Sequence, residues 1–197
     1  MAPFDSLLRE YVNADEVERA AVKQRLWDRF GKHCAVFVSD LSGFSRLTEQ
    51  HSIVHFLAVI HECQRLLLPV IREGGGSPIK TAADNMYAIF PGASEAIEAS
   101  IAMQRRLTTY NHRRKPDDRI NLCVGIGYGD ILVIEDQDFF GHELNLAFKL
   151  GEDTAEVGEI LATRDALEAA GPQRFPHELR TVMVSKVTIP HASILYQ

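Results

Sequence analysis

Five apolar residues run without interruption from Cys34 to Val38, and the run closes on Ser39 and Asp40. A strand with one wet face alternates polar and apolar residues, so an unbroken run marks a strand covered on both faces. The chain must therefore build a sheet with this segment inside it. The run ends on a carboxylate followed closely by Ser42 and Gly43, a small-residue turn of the kind found at the mouth of a site. Asp40 suits two roles there: a metal ligand beside a phosphate-binding turn, or the residue that caps the next helix.

The rest of the chain supplies partners for that strand. Residues 5–30 read as two helical pieces, with Asn13 or Asp15 able to cap the second, and Val22, Leu26 and Phe30 forming an apolar stripe at four-residue spacing. Residues 53–72 are a long amphipathic helix stopped by the glycines at 74–76. "PIKTA" and "MYAIF" flank the polar "ADN" and read as a β-hairpin. A second long helix spans 93–113, "RINLCVGIGYGDILVI" reads as strand, Gly-rich turn, strand, and "GHELNLAFKLGED" as a helix. "EILAT" is a short strand, and the tail reads as two strands around Pro190. This order is α+β: a βαββαβ, ferredoxin-like core, an antiparallel sheet with helices on one face and an appended helix and strands. Residues 1–32 form an N-terminal helical extension, expected to pack its stripe on the core or on a dimer partner, and 33–197 form one domain.

Composition excludes some functions. A formal net charge of -6 argues against a grip on nucleic acid built by neutralising phosphates. The three cysteines, at 34, 63 and 123, have no metal-ligand spacing and read as core thiols in a reducing compartment. No apolar stretch reaches the roughly 18 residues of a membrane span, and "MAPFDSLLREY" does not read as a signal peptide, so a cytoplasmic protein is expected.

Two groups of residues carry possible chemistry. Asp40 and Asp84 fall at neighbouring strand ends, where a carboxylate pair can hold hard divalent cations; Asp84-Asn85 are equally suited to a plain hairpin tip. Asn145 and Lys149 share one helix face, with Asp138 shortly before it; together they could bind a polar base and a phosphate, or form a solvated face.

Taken in order, "FVSDLSGFSRL", "GGGSPIKTAADNMYAIF", "VGIGYGDILVI" and "DFFGHELNLAFKLGE" resemble the catalytic domain of class III nucleotidyl cyclases, over residues 34–165. The resemblance implies a homodimer with active sites at its interface and two Mg²⁺ or Mn²⁺ ions. It implies that Asp40 and Asp84 are the metal-binding aspartates and that the Leu41 carbonyl meets a metal. It implies that Ser42, Gly43, Phe44 and Ser45 form the turn whose amides hold the triphosphate. Lys80 and Asp138 match the pair that reads adenine, and Asn145 the residue that orients the ribose. The implied substrate is a nucleoside triphosphate, ATP first, converted to a 3′,5′-cyclic nucleotide and pyrophosphate.

Three positions depart from the family pattern. Lys149 stands where an arginine usually stabilises the transition state, which keeps the charge and loses the planar fork. Ala83 stands where the hairpin usually has glycine, a tolerable change only if that residue avoids the left-handed region. The tail's triphosphate lysine has no close match, and Lys186 is the nearest candidate. The alternatives are a pyrimidine (UTP or CTP) cyclase of a phage-defence system and a catalytically weak nucleotide-binding module. An RNA-binding ferredoxin-like domain is disfavoured by charge and by the lack of stacking aromatics.

Overall fold

Strand β1 (Gly31–Leu41) lies inside an eight-stranded sheet, in a computed structural model that describes residues 3–42, 52–134 and 138–196. Its neighbours are β3 (Asn85–Phe90) and β4 (Leu122–Ile134), both antiparallel to it. β2 (Ser77–Ala82) forms the edge beyond β3. Beyond β4 come β6 (Ile160–Thr163), then β8 (Val187–Ile194) and β7 (His177–Val184), while the short β5 (Asp138–Phe140) folds back on the end of β4. Helix α3 (Ile53–Glu73) connects β1 to β2, and α4 (Ala93–Asn111) connects β3 to β4. The order β2-β3-β1-β4 is the expected ferredoxin-like core.

Alternation along β1 explains its unbroken apolar run. Ala35, Phe37 and Leu41 face α3 and α4, among Leu67, Ile71, Met103 and Leu107. Cys34, Val36 and Val38 face the other way, among Ile131, Val133, Phe139 and Ala147. Ala147 belongs to α5 (His142–Gly151), which lies across β1 and β4 on the face opposite α3 and α4. The expectation of helices on one face is thus corrected: the sheet carries helices on both. Each large apolar side chain so buried contributes about 2 kcal/mol.

The Gly-rich segment of β4 is a second correction. It makes no turn, since all thirteen residues form one strand paired to β1 from Leu122 through Leu132. Gly125 and Gly127 lie two apart on the face beneath α5, where the helix backbone rests on the strand. A Cβ on Gly125 would stand 1.9 Å from the Ala147 carbonyl oxygen, and one on Gly127 2.6 Å from that of Glu143. The glycines are there for close approach, not for reversal.

Local signals elsewhere held. Asp15 caps α2 (Glu16–Phe30) through a reciprocal box with Glu18, following α1 (Pro3–Asn13). The stripe of Val22 and Leu26, with Phe30 and Phe4, packs against Leu132 and Ile134 of β4. The expectation that no apolar stretch reaches the length of a membrane span is corrected: by length and composition α3 does, the only such helix among the described residues. Ile60, Cys63, Leu67, Val70 and Ile71 on one of its faces are buried in the core. The tail differs from expectation twice. An additional helix, α6 (Arg164–Ala170), precedes it. The final hairpin turns at Ser185 and Lys186, both at positive φ, and Pro190 lies inside β8 opposite Thr181. Pro190 sits just before the β6–β8 pairing begins at His191, so its missing N–H breaks no bond to β6.

Candidate active site

Asp40 has the parity of Val36 and Val38, so β1 presents it on the α5 face of the sheet, at the strand's end. Asp84 follows Ala83 in the two-residue turn between β2 and β3. The two carboxyl groups come close enough to hydrogen-bond each other. Burial, and then the charge of Asp84, pushes Asp40 up to about 6. Burial also raises Asp84. Two carboxylates forced together bind either a proton or a cation between them, and this pair has the hard oxygen donors that Mg²⁺ or Mn²⁺ prefers. Among the described residues no three His, Cys, Asp or Glu side chains surround one point, so further ligands for such an ion would be backbone, water or substrate oxygens.

Other expected residues divide among three places. Leu41 is buried on the opposite face, in the α3–α4 core, which leaves only its backbone for a site on the Asp40 side. Ser42 is half-buried, and its amide already donates to the Asn121 carbonyl at 2.9 Å. A phosphate cradle made of free amides would therefore begin after Ser42; Gly43, Phe44 and Ser45 lie outside the described residues. Lys80 and Asp138 do meet: Nζ donates to Oδ1 at 2.8 Å, joining β2 to β5 on the same face as Asp40. The Phe139 amide also donates to that Oδ1, at 2.9 Å, which leaves Oδ2 for another donor. Asn145 is exposed on α5 and Lys149 is partly exposed one turn on, while Glu143, Ala147, Leu150 and Gly151 are buried. Lys186 is exposed at the tip of the β7–β8 hairpin.

Ala83 fails the condition set for it, since its φ is 52°. An L-residue there carries roughly 1–2 kcal/mol of strain that glycine would avoid. That strain sits next to Asp84.

Sequence reasoning missed two residues. Tyr87 shares the face of Asn85 and Ile89, and its ring lies 5.3 Å from Lys80 Nζ. Glu152, at the C-terminal cap of α5, accepts from Asn85 Nδ2 and, at 3.2 Å, from the Tyr87 hydroxyl. Burial pushes Glu152 up to about 7, with Asp40, Asp153 and Asp84 adding to the rise. The period of two along β3 pointed to Tyr87, and the seven-residue step from Asn145 pointed to Glu152. A broad groove of about 1240 Å³ lies elsewhere, lined by residues such as Arg105, Phe175 and Tyr196, and contains none of these groups.

The raised carboxyls have a consequence for stability without metal. A carboxyl that holds its proton more tightly when folded contributes stability at low pH. That contribution fades as pH rises from the ordinary value near 4 through the folded value of about 6 for Asp40 and about 7 for Glu152. In EDTA, Asp40→Asn is expected to gain on the parent across this window, by about 1 kcal/mol once solvent screening is allowed for. Melting curves from pH 5 to 8 check this, and parallel curves for the two proteins would refute it.

A profile described as the adenylate and guanylate cyclase catalytic domain matches residues 28–189. The chain is 32% identical over 127 residues to a protein named putative adenylate cyclase 3 from Rhizobium meliloti, covering 64% of this chain and 21% of that protein. It thus spans about a fifth of that relative's length. Among solved structures, an adenylate/guanylate cyclase/hydrolase from Silicibacter pomeroyi superposes with a TM-score of 0.75 at 24% identity, covering 85% of this chain and 98% of that one. The adenylyl cyclase CyaB from P. aeruginosa superposes with a TM-score of 0.74 at 20% identity, covering 85% and 95%. These two likenesses speak to the fold, while the profile spans most of the chain, from the end of α2 into β8. The chain belongs to the adenylate and guanylate cyclase catalytic domain family.

Proposed function

We propose that this domain is a metal-dependent adenylate cyclase, active as a homodimer, that converts ATP to 3′,5′-cyclic AMP and pyrophosphate. The observation that carries the reading is the placement of the Asp40–Asp84 pair and the Lys80–Asp138 pair on one face of one sheet. Asp40, Asp84 and the Leu41 carbonyl would hold the two divalent ions. Bound there, such ions lower the pKa of the ribose 3′-hydroxyl and neutralise the triphosphate. The 3′-oxygen attacks the α-phosphorus and passes its proton to water, and the bond to the bridging oxygen breaks to release pyrophosphate. Nucleophile and electrophile belong to one molecule, so the protein's work is positioning and charge stabilisation.

Lys80 and Asp138 support adenine. One Nζ–H can stay on Asp138 Oδ1 while another reaches the acceptor N1 of adenine, and Asp138 Oδ2 can accept from the 6-amino group. Guanine presents a donor at N1 and an acceptor at O6, which opposes both contacts. Asn145 would orient the ribose and Lys149 would meet phosphate charge. Both stand on the exposed side of α5, where a second copy's nucleotide could reach them. Lys149 in place of arginine favours a second reading, a nucleotide-binding module with weak catalysis.

Incubation with ATP, GTP, CTP or UTP and Mn²⁺, with products identified by mass, separates these readings. Cyclic AMP is expected, in at least about tenfold excess over any other cyclic product. A cyclic pyrimidine product would move the domain to the phage-defence alternative. Binding without any cyclic product would favour the module.

A further inference from the structure

We propose that Glu152 is a positioning residue of the metal site, acting through Asn85 to fix the hairpin tip that presents Asp84. The proposal rests on the cyclase reading above. Glu152 falls seven residues after Asn145 and three after Lys149, so all three lie along one side of α5. Its Oε1 accepts from Asn85 Nδ2 and from the Tyr87 hydroxyl, and Nδ2 is itself 3.3 Å from that hydroxyl. The three side chains form a closed triangle between α5 and β3.

The tip needs such a brace. Asp84 shares its turn only with Ala83, whose left-handed backbone is under strain and whose methyl group offers no anchor. Asn85 is the next residue and the first of β3, so holding its side chain holds the backbone beside Asp84. Both bonds fall on Nδ2, and Asn85 Oδ1 stays buried without a hydrogen-bond partner among the described residues. An unpaired buried acceptor costs stability, and a donor in the occupied site would relieve that cost. Glu152 does not itself join Asp40 and Asp84 around one point, which makes it a support rather than a ligand. The Tyr87 ring beneath Lys80 extends the brace toward Asp138. One helix side thus touches the metal end and supports the base end of the sheet face.

The test is Mn²⁺ binding to the nucleotide-free chain, followed by the electron paramagnetic resonance of the free ion. Glu152→Ala is expected to weaken binding about tenfold, the usual scale for removing support behind a ligand. Glu152→Gln, which can still accept from Asn85, should stay within about threefold of the parent. Asn85→Ala should weaken binding about as much as Glu152→Ala, and the double variant no further, because both remove one brace. In turnover, Glu152→Ala should need about tenfold more Mn²⁺ for half-maximal rate, with kcat at saturating Mn²⁺ within about twofold of the parent. A merely structural role would lower kcat at every Mn²⁺ concentration. Parent-like binding in Glu152→Ala, a glutamine variant as weak as alanine, or an additive double variant overturns the proposal. If Glu152→Ala does not fold, the glutamine and Asn85 variants still decide. Asp40→Ala separates the two levels: binding lost there but unchanged in Glu152→Ala sinks this proposal alone. A parent that binds no Mn²⁺ sinks the cyclase site with it.

Discussion

Asp40→Ala is expected to lower cyclic nucleotide formation about a thousandfold while leaving the fold intact. The size follows from what the carboxylate would do. It holds charge where the triphosphate and the developing oxyanion need it, and removing one such stabilising group costs about two to three orders of magnitude. Fold loss is not the expected cause, because this carboxyl opposes stability above about pH 6, where burial and Asp84 disfavour its charge. The variant should melt no lower than the parent at pH 8 in EDTA and should no longer gain stability from Mn²⁺. Cyclic product within tenfold of the parent would remove Asp40 from the reaction, and no capping role is left for it on α3, whose N-cap is Ser52.

The second large effect concerns the seat of α5. Gly125→Ala should cost about 3 kcal/mol, because the new Cβ would press on the Ala147 carbonyl at 1.9 Å and the Gly151 amide nitrogen at 2.6 Å. Neither atom is the end of a flexible side chain, so the helix itself must shift. For a chain of this length that is a fall of roughly 6–12 °C in Tm. The displaced helix carries Asn145 and Lys149, so turnover should drop in the fraction that remains folded. Gly75→Ala is the control. Nothing lies within 4 Å of its Cβ position, and it bears only the cost of a residue at φ 81°, about 1 kcal/mol. Equal melting temperatures for the two variants would mean that α5 does not rest on Gly125.

These glycines also show where sequence reading ends. Glycine permits reversal, so Gly125, Gly127 and Gly129 suit a turn; their spacing of two is equally that of one strand face left bare. Nothing local distinguishes the two, since the deciding contact is with residues 143–151 of α5. The tail is similar: Pro190 suits a break between strands, yet Ser185 and Lys186 make the turn, and β6 stops short of the proline.

Signals that act within a few residues were legible in the chain. The Asp15 box, the glycine stop after α3, the β2–β3 hairpin and the apolar run of β1 all depend on near neighbours or on periodicity. The ordered residues Asp40, Lys80, Asp84, Asp138 and Asn145 were legible too, through the family resemblance they carry together. Tertiary structure alone decided that the second face of β1 is closed by α5. It alone put Ala83 in the left-handed region, used the Ser42 amide on Asn121, and brought Glu152 to Asn85 and Tyr87. The contact between Asn85 and Glu152 spans 67 residues of sequence. Its existence depends on how closely α5 sits on the sheet, a distance set by the missing side chains of Gly125 and Gly127 on β4 and of Gly151 on the helix.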